Sequence, residues 1–126
     1  MTTCRPLDLA SALRVHAAGL PNEEAAVNLL IQHAVWLRRE AFVSALIHTT
    51  TDPVQTIKLS IVDWPAAIDA LDRGDLSCSH SEAHVLRLAA SLAAGIPVDL
   101  RETLTGLDRP NSTQVCHAVR HTTGHR

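Results

Sequence analysis

Residues 79–95, SHSEAHVLRLAASLAAG, decide how this chain is read. Ser79 and Glu82 stand three apart, the spacing of a capping box. The serine hydroxyl accepts the Glu82 amide hydrogen and the carboxylate accepts the Ser79 amide hydrogen, so two donors that a helix start leaves unpaired are satisfied reciprocally. From there Val85, Leu86, Ala89, Ala90, Leu92 and Ala93 recur at spacings of three and four, one apolar stripe on an α-helix. Gly95 closes it, because glycine enters the left-handed conformation that ends a helix without steric cost. This gives a helix of about four turns, roughly 24 Å long. Its alanines let other helices approach closely, which makes it the expected central strut of a bundle.

Working back from that helix, Asp63-Trp64-Pro65 reads as a cap followed by a proline in the first turn, where the missing donor costs nothing. Ala66, Ile68, Ala70 and Leu71 then carry a helix to Gly74. In Thr56 to Val62, TIKLSIV, apolar residues fall at every second position, the signature of a half-buried strand. Thr49-Thr50-Thr51-Asp52-Pro53 reads as a turn. A strand needs a partner for its backbone groups, and the other short candidate is Ile96-Pro97-Val98. The sequence therefore predicts a ladder of 55–62 with 96–98, or pairing across a dimer. Further back, Phe42 to Ile47 follows Trp36-Leu37-Arg38-Arg39 as a third helix after a bend. The second helix starts at Pro21-Asn22-Glu23-Glu24, with Asn22 as cap, and turns Ala26, Val27, Leu29, Leu30, Ile31 and Ala34 inward. The first spans Leu7 to Ala18 and closes at Gly19, with Leu9, Ala10, Leu13 and Ala17 on its inner face.

Forward of the central helix, Asp99 caps a short helix with Leu100 and Leu104 inward, ended by Gly106. Asp108 or Asn111 caps the last, with Val115, Ala118 and Val119 inward. The expected fold is mainly α: residues 1–126 form a single domain of five to six helices packed on residues 79–94, with a small two-stranded ladder. The length of 126 residues suits one domain that buries about two thirds of its unfolded surface. Cys4, Cys78 and Cys116 are scattered and outside any CxxC pairing, which fits a reducing cytoplasm better than a disulfide framework. Asp8, Arg14 and His16 interrupt any leader-like apolar start, and Leu88 to Ile96 is too short to span a bilayer. The net charge of −2 lacks the basic excess that advertises nucleic-acid binding. With Phe42, Trp36 and Trp64 as the only aromatics, a base-stacking platform is not expected either.

Four constellations could carry function. The order of elements over the last third, 79–124, resembles a winged helix or helix-turn-helix. That resemblance implies that Arg109, Asn111, Thr113, Gln114, His117, Arg120 and His121 on the final helix would meet bases and phosphates. Aligning Gly106 with the turn glycine, however, puts Arg101 and Ser112 where such motifs want apolar residues. His80 and His84, like His117 and His121, are four apart and so share a helical face, a way to offer paired metal ligands. Yet HSEAH is neither the HExxH nor the HxxEH order of zinc proteases. Solvated histidines are the favoured reading. Cys78, just before a helix start, is placed where the dipole could lower its pKa, while His117 beside Cys116 points another way along the helix. Trp36, Arg38 and Arg39 form a tight aromatic–cationic cluster of the kind found at partner-binding hot spots and, more often, over cores.

No phosphate-cradling loop, nucleophile elbow or framed carboxylate pair is present. The favoured function is therefore a non-catalytic regulatory or protein-interaction module of a soluble cytoplasmic protein, with no cofactor and with another protein or a second copy as partner. A DNA-binding regulator is the alternative and a small metal-binding protein the third.

Overall fold

The computed structural model describes residues 6–124; Cys4 lies outside the described residues. In chain order the elements are α1 (Pro6–Ala17), α2 (Pro21–His33), a 3₁₀ turn (Trp36–Arg38), α3 (Glu40–Leu46), β1 (Ile47–Thr51), β2 (Lys58–Val62), α4 (Trp64–Asp72), α5 (His80–Ala94), α6 (Leu100–Thr105) and α7 (Arg109–Thr122). The fold is mainly helical with one small antiparallel sheet, as the sequence predicts, although the described helices outnumber the five or six expected.

The local signals around α5 hold. Ser79 Oγ accepts the Glu82 amide hydrogen at 3.1 Å, Glu82 Oε1 accepts that of Ser79 at 2.9 Å, and Gly95 takes φ 68°. Asp63, Asp99 and Asp108 cap α4, α6 and α7 through their side chains. Asn22 does not cap α2. The helix begins one residue before it, at Pro21, and its start has no side-chain cap.

α5 is not the sole strut. It packs on α2, α4, α6 and α7, but α1 packs on α2 and β2, so α2 joins the two halves of the molecule. The reason lies in the width of its apolar arc: Ala25, Ala26, Val27, Leu29 and Leu30 are all buried, which leaves little of that helix for solvent. Ala17 of α1 is buried as expected, and Ala12 rather than Ala10 is buried with it.

The expected bend between α2 and α3 is present. Ala34 takes φ 67° and its N–H closes on the Leu30 carbonyl at 2.9 Å. The 3₁₀ turn then drives Trp36 fully into the core, where it lies 5.3 Å from the Phe42 ring and donates its indole N–H to the Glu82 carbonyl. Burial of that ring by about the area of the largest side chains, with its one donor satisfied, accounts for interrupting the helix here.

The sheet corrects the sequence reading in two ways. β2 pairs with β1, not with 96–98, in the register Ile47↔Val62 to Thr51↔Lys58. Pro97 would remove a ladder donor, whereas Ile47 to Thr51 needs only a short loop to reach β2. Thr49, Thr50 and Thr51 are thus strand and the turn begins at Asp52, whose Oδ1 accepts the Val54 and Gln55 amide hydrogens. The second correction is the face: Ser60 and Val62 point inward, while Ile57 and Ile61 are 40 % and 41 % exposed. The Ser60 hydroxyl is satisfied by Thr49 Oγ1 at 2.8 Å.

Two helix phases also differ from expectation. Leu100 and Leu104 of α6 are exposed and Thr103 is buried, because the Asp99 cap sets the phase of so short a helix. In α7, Val115 and Ala118 face inward but Val119 faces out.

Candidate functional site

The hairpin carries exposed apolar side chains on its outward face. Strand alternation is strict, so once Val62 and Ser60 are turned to the core, Ile61, Leu59 and Ile57 must line the other face. Thr50 stands opposite Leu59 and His48 opposite Ile61, so Thr50 and His48 share that face on β1. Val54 at the loop tip is almost fully exposed. The loop is closed by Asp52, which both donates its N–H to the Ile57 carbonyl at 2.9 Å and accepts from Thr56. Thr56 adopts φ 55°, a conformation that β-branched residues seldom take.

The polar residues of α7 divide between its two sides. Arg109, Thr113, His117 and Arg120 are exposed. Asn111 is not: its Nδ2 donates to Ser81 Oγ at 2.7 Å, tying the start of α7 to the first turn of α5. Gln114 is half-buried and donates to the Gln32 carbonyl at 3.3 Å, while its Oε1 is buried without a protein partner. Asn111 and Gln114, two of the residues expected to meet bases, therefore face α5 and α2. α7 packs mainly on α2, with less contact to α5, unlike a recognition helix held up by the two helices before it.

The paired histidines do not converge. His121 Nε2 lies 3.0 Å from Glu24 Oε1 at the α2–α7 seam, His84 lies over Gly106, and His80 and His117 are exposed. Among the described residues no three His, Cys, Asp or Glu side chains stand together as a metal-binding group. Cys78 and Cys116 are free thiols. Burial, with help from Glu82, pushes the Cys78 thiol up, against the opposing pull of Arg39 and Arg87.

Trp36 and Arg39 form a core closure. The Arg39 guanidinium sits 5.0 Å from the centre of the buried Trp36 ring and donates to the Ser77 carbonyl, so of the three cluster residues only Arg38 is exposed.

Three features had no sequence signal. His33, at the end of α2, is held below its ordinary pKa by burial, opposed by the carboxylates of Glu82 and Asp108, and its Nδ1 has no protein partner. Only the tertiary meeting of α2 with the starts of α5 and α7 brings these groups together. Between α1, α2 and α7 lies an open cavity of ≈ 220 Å³, in which Arg14 Nε donates to Asn28 Oδ1 at 3.4 Å beside the His121–Glu24 pair. A wider shallow groove of ≈ 440 Å³, floored by Ala41, Ala45 and Leu46 of α3 and Ala66 and Ala70 of α4, carries Asp69, Arg73 and Asp75 at its rim. Among the described residues no helix is long and apolar enough to cross a membrane. Compared with protein-family models, with curated proteins and with solved structures, the chain has no significant match.

Proposed function

We propose that this chain is a non-catalytic regulatory or protein-interaction module and that its contact surface is the outer face of the hairpin. The observation that carries the reading is the outward placement of Ile57, Leu59 and Ile61, with Val54 beyond them. An apolar row on a sheet face gains stability when covered, at about 25 cal/mol per Å² of apolar area removed from water, and rows of this kind mark partner surfaces. The free thiols Cys78 and Cys116 support a reducing, cytoplasmic setting.

Photo-crosslinking side chains at Ile57 and Ile61, compared with the same groups at Thr113 and Arg120, test the reading in cells. A discrete protein adduct from the hairpin positions and none from α7 is expected. Nucleic-acid adducts from Thr113 and Arg120, with none from the hairpin, would favour the DNA-binding alternative instead.

A further inference from the structure

The hairpin also has an edge, and hydrogen bonds at its two ends fix which groups that edge presents. Directly opposed residues in an antiparallel pair alternate between those that exchange backbone bonds and those that do not. The bonds Asp63 N–H to the Leu46 carbonyl (2.8 Å) and Asp52 N–H to the Ile57 carbonyl (2.9 Å) continue the register at either end, so 46↔63 and 52↔57 are bonded pairs. By alternation His48↔Ile61 and Thr50↔Leu59 are bonded too. The pairs Ile47↔Val62, Thr49↔Ser60 and Thr51↔Lys58 are not, which agrees with the close Thr49–Ser60 hydroxyl contact, since side chains approach more closely across non-bonded pairs. The backbone groups of Ile47, Thr49 and Thr51 therefore point away from β2.

β1 has few other neighbours for those groups. It packs chiefly on β2 and on α3, from which it continues, and His48 to Thr51 are exposed. The Ile47 N–H is taken by the Val43 carbonyl, which leaves its C=O. Sheet edges are ordinarily protected by lysine, proline or a bulge. Ile47-His48-Thr49-Thr50-Thr51 has none of these: its register is unbroken and its one lysine neighbour, Lys58, is on β2.

We propose that β1 pairs antiparallel with β1 of a second copy about a two-fold axis at Thr49, joining two hairpins into a four-stranded sheet. The strand is complementary to itself in this register. Thr49 exchanges N–H and C=O with Thr49 of the second copy, and Thr51 N–H donates to the Ile47 carbonyl across the axis, with the reciprocal bond. All five residues overlap, His48 meets Thr50 and Ile47 meets Thr51. Because β1 carries no Asp, Glu, Lys or Arg, no like charges are brought together. β-branched threonine suits such a pleated edge. The pairing also gives the sheet the three or more strands at which sheets become independently stable.

The proposal goes beyond the contact-surface reading, because pairing at the β1 edge leaves the outer face of Ile57, Leu59 and Ile61 open. Light scattering across a concentration series, with residue-resolved amide exchange on the wild-type chain, tests it. The expected result is a monomer–dimer equilibrium in which the Thr49 and Thr51 amides exchange at least about tenfold more slowly in the dimer, while His48 and Thr50 are protected equally in both states. Thr49→Pro, which deletes an outward N–H where an edge strand tolerates proline, abolishes the dimer. A chain that stays monomeric at millimolar concentration, or a dimer whose Thr49 and Thr51 amides exchange freely, overturns the proposal. If the monomer still gives a foreign protein adduct at Ile61, the second copy is wrong and the contact-surface reading survives; if that adduct is missing as well, both fall.

Discussion

Ile47 stands directly opposite Val62 at the root of the hairpin, and both are almost wholly buried, at 7 % and 5 % exposure. This pair sets the orientation of the sheet. Trp64, at the start of α4, and Leu46, at the end of α3, are buried on either side of it, so the root cannot turn outward without exposing four core residues. Strand parity then carries Ser60 inward and Ile61 outward, whatever the hydrophobicity of the residues farther along.

The loop that joins the strands carries strain that a substitution can relieve. Thr56 holds φ 55° with a branched Cβ, and asparagine enters that region more readily. Thr56→Asn is expected to stabilise the fold by about 0.5–1 kcal/mol, read as a higher urea midpoint with unchanged slope. A lower midpoint would mean that the threonine is favoured by contacts that outweigh its backbone conformation.

Gly106 and His84 are coupled through space. A Cβ at Gly106 would overlap the His84 ring, whose Nδ1 is already enclosed. Gly106→Ala should cost on the order of 1–3 kcal/mol by overpacking, and much less in a His84→Ala background. Additive losses in the double variant would show that the glycine is needed for some other reason.

Burial of His33 makes stability depend on pH. Its folded-state pKa lies below the ordinary 6.5, because desolvation outweighs the attraction of Glu82 and Asp108. Well above pH 6.5 the group is neutral in folded and unfolded chains alike and contributes no slope. As the pH falls below 6.5 the unfolded chain binds the proton first, so stability declines toward the folded pKa. His33→Gln, which removes the titration, should flatten the loss of urea midpoint between pH 7 and 5.5. An unchanged slope would assign that loss to other groups.

What the sequence revealed and what it hid divide along physical lines. The start and end of α5 were legible because capping is local: Ser79, Glu82 and Gly95 act within one turn of themselves. The caps at Asp63, Asp99 and Asp108 were legible for the same reason. The strand character of Ile47 to Thr51 was not, since His48 and three threonines form a strand only when paired with β2. Nor was the outward face of β2, because the alternation of Ile57, Leu59 and Ile61 names a face without saying which way it points. Asn111 looked like a surface residue of α7, yet its partner Ser81 is 30 positions away and no local pattern joins them. His33 was missed outright, as its charged neighbours Glu82 and Asp108 come from two other elements.

The outward row is the premise of the contact surface, and paired lysine substitutions on adjacent residues test it most directly. Thermal and urea unfolding of Ile61→Lys and Ser60→Lys should part sharply. With Ile61 on the outer face, Ile61→Lys should remain within about 0.5 kcal/mol of the wild type, whereas Ser60→Lys forces a charge into a fully buried position and should cost several kcal/mol, about enough to unfold the domain. The reverse order, with Ile61→Lys unfolding the chain and Ser60→Lys tolerated, would place the apolar row against the core and remove the contact surface.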